Sequence, residues 1–353
     1  MTVNKQVSIL GESEAGVIVH PATNNPDCNQ GGSGTFCTNA SFVFLIDSTN
    51  VEIHDLTVDG TNVNNPAQVW ARGGIVTSAT PAKDTVIQNT TVKNIFLRGI
   101  YASDGGTGSS ILIDGNTVSN VSGDISGNSI GIYTWLGQGT ISNNTVSSSD
   151  TAITNNHSRG MTISGNTVSS SGVGIGTSNA GDSGGTIDQI FNNNITSCSS
   201  GGWGIYVFVP YNNVNVHDNT VGGCYVGVGV NGGSFSGPTA KPTITNNLID
   251  GTGGTPADGA GVYYSNDSYG FGVRPSDIEF TGNTVVDFDT GIFITNGGGG
   301  FDMNGSFAKN RIVGNNVDTY LDTDDNNKAD AGGTVGAGGG VQRVVHRAAG
   351  FRA

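Results

Sequence analysis

The chain has 353 residues, of which 58 are glycine and only 12% are charged, and its formal net charge is −14. This composition is not that of an ordinary α/β globular domain, and the regular repetition of the sequence excludes a disordered glycine-rich chain. An acidic surface repels nucleic acids and anionic membranes, so neither is expected as a partner. No apolar run approaches the roughly 18 residues of a membrane-spanning helix, so no membrane span is expected.

The first predicted strand lies within Thr2–Ile9 and already has the apolar alternation of the later repeats. No signal peptide precedes it. We therefore expect the natural chain to begin earlier, with a secretion signal and a polar cap for the terminal repeat. The next segment, Asn24–Asn39, has no apolar period and contains Cys28 and Cys37, for which a disulfide is favoured.

From Val51 onward the chain repeats one short pattern: an alternating apolar strand, a corner containing asparagine, and a second short strand. The corner asparagines are 22 to 36 residues apart, too close for propeller blades, and the leucine ladder of leucine-rich repeats is missing. A second pattern, glycine followed by isoleucine or valine, opens a third strand. The clearest copies of the first pattern are Ile113–Val118, Ile141–Val146, Ile163–Val168, Val216–Val221 and Phe280–Val285.

These patterns predict an all-β solenoid of about ten coils, each with three short parallel strands, over residues 1–320. Alternate residues such as Ile141, Ile163, Val216 and Ile244 should stack inside the coil. The corner asparagines should adopt the left-handed conformation and bond to one another along the stack.

The repeated Ile-x-Gly-Asn-Thr-Val with a following Gly-Ile-Tyr resembles the right-handed parallel β-helix repeat of the pectin-lyase-like superfamily, over roughly Val3–Val317. The resemblance implies that fold. The superfamily includes pectate lyases, polygalacturonases, alginate and chondroitin lyases, uronan epimerases, phage tailspikes and adhesins. Its implication for function is therefore broad.

Cys198 and Cys224 each lie five residues after a corner asparagine and so take the same place in consecutive coils. Stacked Cα atoms about 4.8 Å apart are within disulfide range. A disulfide and a pair of small buried thiols both fit this spacing. A disulfide implies an oxidising location, secreted or at the cell surface.

The residue after each Gly-Ile pair should point outward on the third-strand sheet, and many of these residues are aromatic. Such a row suits the apolar faces of sugar rings. Gly176 and Gly229, which have no side chain, should leave flat, open backbone between the aromatic residues. The alternative is that long insertions cover these aromatic residues. The candidate binding residues on this sheet are Tyr101, Tyr133, Trp135, Tyr206, Phe208, Asn231, Tyr263 and, in the loop beyond it, Arg274.

Polar residues at the end of the same sheet are candidate catalytic groups. His157 with Arg159 suits a lyase, which needs a base for the proton α to a uronate carboxylate and a cation for the enolate. Asp104 with Asp150, or Asp267 with Asp277, suits a hydrolase with two carboxyl groups. Each of these residues is also an ordinary solvated corner residue. The motifs of polygalacturonases and pectate lyases are missing, since the only Asp-Asp is Asp324-Asp325 and Arg274 has no second arginine at the required spacing.

The last stretch, residues 321–353, is predicted to be an acidic turn, a glycine-rich linker and a disordered basic tail. The alternating acidic turn is similar to a calcium loop, but it lacks the required glycine and the bidentate glutamate. No other cofactor is indicated. The candidate calcium ligands are Asp322, Asp324, Asn326 and Asp330.

Two functions follow from the sequence. One is a secreted, monomeric protein that acts on a polysaccharide, as a lyase or less favourably as a hydrolase or epimerase. The other is a non-catalytic surface or adhesive β-helix that binds glycans or serves as a spacer. The residues alone leave open whether the protein is an enzyme.

Overall fold

The computed structural model divides into two compact units, Met1–Ser171 and Gly172–Ala353. The structure describes residues 1–23, 34–37, 39–64, 70–78, 84–103, 110–123, 127–181, 186–231, 240–252, 259–265, 278–295 and 305–322.

The strands of the first unit are short and recur in groups of three. They are β1 (Thr2–Val3), β2 (Val7–Leu10), β3 (Ile18–Val19), β4 (Phe42–Ile46), β5 (Val51–His54), β6 (Thr57–Asp59), β7 (Gly73–Thr77), β8 (Val86–Gln88), β9 (Thr91–Ile95), β10 (Arg98–Ser103), β11 (Ile111–Asp114), β12 (Thr117–Val121), β13 (Ile130–Trp135), β14 (Gly139–Ser142), β15 (Thr145–Ser149), β16 (Thr151–Asn156), β17 (Met161–Ser164) and β18 (Thr167–Ser169).

The second unit has the same order of strands. Its first strand, β19, begins at Ser171, which is the last residue of the first unit. Its strands are β19 (Ser171–Ser178), β20 (Asp188–Phe191), β21 (Asn194–Ile195), β22 (Cys198–Phe208), β23 (Val214–His217), β24 (Thr220–Gly222), β25 (Val226–Asn231), β26 (Thr243–Thr245), β27 (Leu248–Asp250), β28 (Ala260–Ser265), β29 (Ile278–Thr281), β30 (Thr284–Val286), β31 (Thr290–Thr295), β32 (Gly305–Ala308), β33 (Arg311–Val313) and β34 (Val317–Asp322).

Each turn of the chain gives one strand to each of three parallel sheets, called here sheets A, B and C in the order in which the chain visits them. In the first unit sheet A runs β1-β4-β7-β10-β13-β16, sheet B runs β2-β5-β8-β11-β14-β17, and sheet C runs β3-β6-β9-β12-β15-β18. In the second unit sheet A runs β19-β22-β25-β28-β31-β34, sheet B runs β20-β23-β26-β29-β32, and sheet C runs β21-β24-β27-β30-β33. The predicted all-β parallel β-helix with three strands per coil is confirmed.

The interior is filled by alternate side chains of the three sheets, in register from coil to coil. Ile141 pairs with Ile163 in the first unit, and Val216 pairs with Ile244 in the second, as predicted. All four side chains are fully buried. Parallel strands need apolar residues on their covered face, and the valine and isoleucine of the repeat provide them.

A ladder of asparagines connects sheet B to sheet C inside each unit. Asn144 Oδ1 accepts hydrogen bonds from both the backbone N–H and Nδ2 of Asn116, each at 2.9 Å. Asn144 Nδ2 in turn donates to Asn166 Oδ1 at 2.9 Å and to the carbonyl of Ile113 at 3.0 Å. The predicted stacking is confirmed. In the second unit the same bonds join Asn193, Asn219, Asn247, Asn283 and Asn310.

The expectation that the ladder asparagine is itself left-handed is wrong. The residue before it has the positive φ, because the chain turns there, and the ladder asparagine then directs its amide into the buried stack. Glycine, asparagine and aspartate tolerate this conformation with little strain. The left-handed residues are Gly115, Asn143, Gly165, Asn192, Asp218, Asn246, Gly282 and Lys309.

The glycine of each Gly-Ile pair is explained by its distance from the next strand of sheet A. A Cβ placed on Gly204 would lie 2.5 Å from the carbonyl oxygen of Gly227 and 2.3 Å from Cγ1 of Val221. Real Cβ atoms do not approach other atoms so closely, so a side chain there would force the coils apart. Gly74, Gly99, Gly131, Gly174, Gly227 and Gly261 have the same carbonyl contact.

Cys198 and Cys224 form a disulfide between neighbouring coils, with Cα atoms 4.8 Å apart. The predicted equivalent register of the two residues is therefore confirmed. Cys37 is also in a disulfide. Its expected partner, Cys28, lies outside the described residues.

Strand β34 continues to Asp322, beyond the point near Val317 where the sequence pattern fades. The backbone of Asp322 is thus part of sheet A. The other candidate calcium ligands, Asp324, Asn326 and Asp330, and the predicted tail lie outside the described residues.

Candidate functional site

The outer face of sheet A in the first unit carries Tyr101 and Tyr133, which pair with each other across β10 and β13. They are only 7% and 9% exposed, so the prediction that they form open platforms is wrong. The ring of Phe36, from the preceding insertion, packs edge-on against Tyr101 with centroids 5.8 Å apart. The alternative, in which an insertion covers the outward aromatic residues, holds for this unit.

Two buried arginines hold the covering segment in place. Arg72 Nε donates to the carbonyl of Thr35 at 3.2 Å, and Arg98 Nε donates to the Thr35 hydroxyl at 3.3 Å. The Arg98 guanidinium also lies 5.0 Å from the centre of the Tyr133 ring. Burial raises the pKa of Tyr133 to about 12, although the positive charge of Arg98 acts in the opposite direction. Tyr133 is therefore a neutral packing residue at physiological pH.

The candidate lyase residues His157 and Arg159 lie in the corner that follows β16. The His157 ring packs edge-on against Trp135, the last residue of β13, with centroids 4.4 Å apart. Arg159 donates its backbone N–H to the carbonyl of Gly137 at 2.8 Å. Its side-chain Nε is buried and has no hydrogen-bond acceptor among the described residues. An aromatic ring, an imidazole and an unpaired guanidinium N–H thus occupy one corner of the first unit.

The left-handed backbone of His157, with φ of 50°, is not by itself a sign of function. The residue that follows β13, Leu136, has the same conformation, with φ of 56°. The corner between sheets A and B imposes this conformation whatever the side chain, even where its cost is of the order of 1–2 kcal/mol. In the second unit Asn179 and Val209 are left-handed at the same point of their coils.

The outer face of sheet A in the second unit carries a continuous row of aromatic rings, called here the aromatic row: Phe208, Tyr206, Trp203, Tyr263 and Phe293. Successive ring centroids are 5.7, 4.7, 5.5 and 5.4 Å apart along the row. Tyr263 and Phe293 are stacked with 4° between their planes. All the rings except Phe293 are partly exposed.

Trp203 is the member of the aromatic row that the sequence pattern did not identify. It precedes the glycine of the Gly-Ile pair, a position that the predicted outward row did not include. Its indole occupies the space above Gly229, where a Cβ would lie 2.2 Å from one ring carbon and 2.4 Å from another. The prediction that Gly229 leaves flat, open backbone between the aromatic residues is therefore wrong. A glycine directly between Tyr206 and Tyr263 was the signal that a neighbouring large side chain lies there.

Asn231 ends β25 and pairs with Phe208, at the Phe208 end of the aromatic row. Its side chain is 1% exposed, and its Oδ1 has no hydrogen-bond donor among the described residues. A buried amide oxygen without a partner costs of the order of 1–3 kcal/mol. Asn231 is therefore an unused acceptor next to the aromatic row.

Several predicted site residues lie outside the described residues: Asp104, Asp267, Asp277 and Arg274. The carboxylate of Asp150 accepts a hydrogen bond from the backbone N–H of Ser129 at 2.8 Å, which is a structural role at the start of β16. Within the described ranges, no group of three or more His, Cys, Asp or Glu side chains is arranged to hold a metal ion. The same part of the chain contains no helix long and apolar enough to span a membrane.

Comparisons with known proteins agree with this architecture. The family model described as the right-handed β-helix region matches residues 73–249 and 124–330. No curated protein matches the chain significantly. The crystal structure of the Dettilon tailspike protein (gp208) is similar in fold, with a TM-score of 0.58 and 15% sequence identity.

The similarity to the tailspike covers 91% of this chain and 59% of the tailspike chain, so this chain spans about three fifths of that protein's length. At 15% identity it concerns the fold alone. The two matches to the family model together extend from residue 73 to residue 330, well over half of the sequence. The chain belongs to the right-handed β-helix family.

Proposed function

We propose that the protein binds a glycan chain on the aromatic row of the second unit. The observation that supports this function best is the unbroken series of rings from Phe208 to Phe293, four of them partly exposed, on the outer face of a rigid parallel sheet. Aromatic rings at an exposed surface offer large, rigid apolar contact at little entropic cost. The apolar faces of pyranose rings are complementary to such a surface.

A polar group at one end of the row supports the same proposal. Binding sites of this kind combine an apolar surface with a few polar groups that fix orientation. Asn231 pairs with Phe208 across β22 and β25, and its Oδ1 lacks a donor among the described residues. Because the Asn231 side chain is 1% exposed, in the proposed complex it turns outward, and a sugar hydroxyl then donates to its oxygen directly or through a water molecule.

The first prediction tests the aromatic row. Trp203→Ala and Tyr206→Ala should each weaken glycan binding by about 1 kcal/mol, roughly fivefold in Kd, because each removes one stacked ring. Binding is measured by titration calorimetry with cello-, xylo- and manno-oligosaccharides as neutral probes and oligogalacturonate and oligoalginate as anionic probes.

Phe191→Ala is the matched control. Phe191 is also a partly exposed aromatic residue of the second unit, but it lies on sheet B and stacks on His217 with centroids 5.0 Å apart. Its removal should leave glycan binding unchanged. If the parent protein binds none of these glycans, or if Phe191→Ala weakens binding as much as Trp203→Ala does, the aromatic row is not the binding site.

A second candidate function, a polysaccharide lyase, is supported by the corner formed by Trp135, His157 and Arg159. The buried Arg159 Nε–H without an acceptor suits a uronate carboxylate. In such a reaction His157 would accept the proton from the carbon next to that carboxylate. The glycosidic C–O bond at the neighbouring carbon would then break, and the protonated His157 or a water molecule would give a proton to the leaving oxygen. The products would be an unsaturated uronate and a new hydroxyl end.

The second prediction separates catalysis from binding at this corner. If the lyase proposal holds, His157→Ala should abolish the rise in ultraviolet absorbance from unsaturated uronate, and Arg159→Gln should lower kcat as well as raise KM, because the cation both binds the carboxylate and stabilises the enolate. The control is His217→Ala. His217 is a half-exposed histidine on sheet B, and its Nδ1 lies within hydrogen-bond distance of Asp218 Oδ2, at 2.7 Å. A parent protein without activity on oligogalacturonate, alginate or chondroitin, with or without calcium, would reject the lyase proposal and leave the glycan-binding proposal standing.

We also propose a secreted or cell-surface location and a monomeric state. The disulfide between Cys198 and Cys224 and the disulfide of Cys37 support an oxidising compartment.

A further inference from the structure

Gly229 differs from the other glycine of its strand, Gly227, in what surrounds it. A Cβ on its neighbour Gly227 would meet the backbone carbonyl of Gly261 at 2.5 Å, so the packing of the coils requires that glycine. The three atoms nearest to a Cβ on Gly229 all belong to side chains: two indole carbons of Trp203 at 2.2 and 2.4 Å and a ring carbon of Tyr206 at 3.4 Å. The backbone of β25 therefore has room for a side chain at position 229 once Trp203 is elsewhere.

Position 229 lies at the centre of the aromatic row. Gly229 pairs with Tyr206 on one side and with Tyr263 on the other. A side chain there would stand between the two tyrosines and hold the indole off the sheet. Without it, the Trp203 indole crosses β25 and contacts both rings, with centroids 4.7 Å from Tyr206 and 5.5 Å from Tyr263.

We propose that Gly229 is a positioning residue for glycan binding: its missing side chain lets the Trp203 indole lie across β25 and close the gap between Tyr206 and Tyr263. This inference rests on the proposed function of the aromatic row. It names the indole as the central stacking surface for an uncharged pyranose ring, because the indole is the largest ring of the row.

The inference is tested by a double-mutant cycle of Gly229→Ala and Trp203→Ala. Each single variant should weaken binding of the neutral oligosaccharides by about fivefold, and the double variant should bind no worse than Trp203→Ala alone, because both changes remove the same contact. Incorporation of 5-fluorotryptophan gives a readout without ligand. Gly229→Ala should shift the ¹⁹F resonance of Trp203, assigned with Trp203→Phe, and leave those of Trp70 and Trp135 in place.

The outcomes separate this inference from the function on which it rests. If Gly229→Ala keeps both the parent affinity and the parent ¹⁹F shift while Trp203→Ala loses binding, the positioning role is wrong and the aromatic row remains the site. If the parent binds no glycan but the Trp203 resonance moves in Gly229→Ala, the packing role of Gly229 stands and the proposed function fails. If Gly229→Ala alone is destabilised, adding it to Trp203→Ala should cost no further stability, because the indole that it displaces is already gone. A Gly229→Ala change that destabilises the Trp203→Ala variant as much as it destabilises the parent would overturn the inference.

Discussion

At the scale of single residues, the asparagine ladder was predictable as a stack but not in its geometry. The repeated corner shows that asparagines recur in register, and stacked amides follow from that. The sequence does not say which residue of Gly115-Asn116 or Asn143-Asn144 turns left-handed, because glycine and asparagine both tolerate that conformation. The structure resolves this by burial: Asn144 is 1% exposed and makes the ladder bonds, whereas Asn143 is exposed and has φ of 54°.

The third prediction concerns Asn144. Asn144→Ala should lower the free energy of unfolding by about 3 kcal/mol, because the backbone N–H of Asn116 and the carbonyl of Ile113 lose their partners inside the coil. Asn143→Gly is the control, since glycine already occupies that corner at positions 115 and 165, and it should change stability by less than about 0.5 kcal/mol. Urea unfolding of both variants measures the difference. Equal midpoints for the two variants would show that the ladder contributes little.

At the scale of strands, the number and order of the elements followed from the repeat, but the surroundings of the outer face of sheet A did not. Periodicity places Tyr101 and Tyr206 at the same point of their coils, yet Tyr101 is 7% exposed and Tyr206 is partly exposed. The difference comes from Phe36, which lies in an insertion without any repeat pattern and packs on Tyr101. A repeat fixes the contacts between coils, whereas an insertion is free of that constraint and its packing cannot be deduced from spacing.

Trp203 illustrates a second limit on what the strand pattern of the sequence can predict. Strand alternation gives the direction in which a side chain leaves the backbone, but a large ring reaches over a neighbouring strand about 4.8 Å away. Whether it does so depends on an empty position there, and Gly229 supplies that position. Pairs of positions on adjacent coils, more than single positions, therefore determine the candidate site.

At the scale of the whole molecule, the charge distinguishes the two proposed functions. The sequence carries 28 acidic against 14 basic residues, so the long-range field repels a polyanionic glycan and leaves a neutral one unaffected. Neutral stacking on the aromatic row agrees with this charge. Uronate binding at Arg159 would require the local attraction of the guanidinium to outweigh this long-range repulsion.

The fourth prediction follows from this contrast and is measured as Kd against sodium chloride concentration. Between about 10 mM and about 150 mM salt the screening length falls from roughly 30 to roughly 8 Å, which removes most of the long-range repulsion. Binding of the neutral oligosaccharides should change by less than about twofold over this range, because stacking contacts carry no net charge. Any binding of oligogalacturonate should become tighter as salt rises. Oligogalacturonate binding that instead weakens steeply with salt would mean that a local cation such as Arg159 outweighs the net charge of −14, and it would favour the corner of His157 and Arg159 over the aromatic row as the principal site.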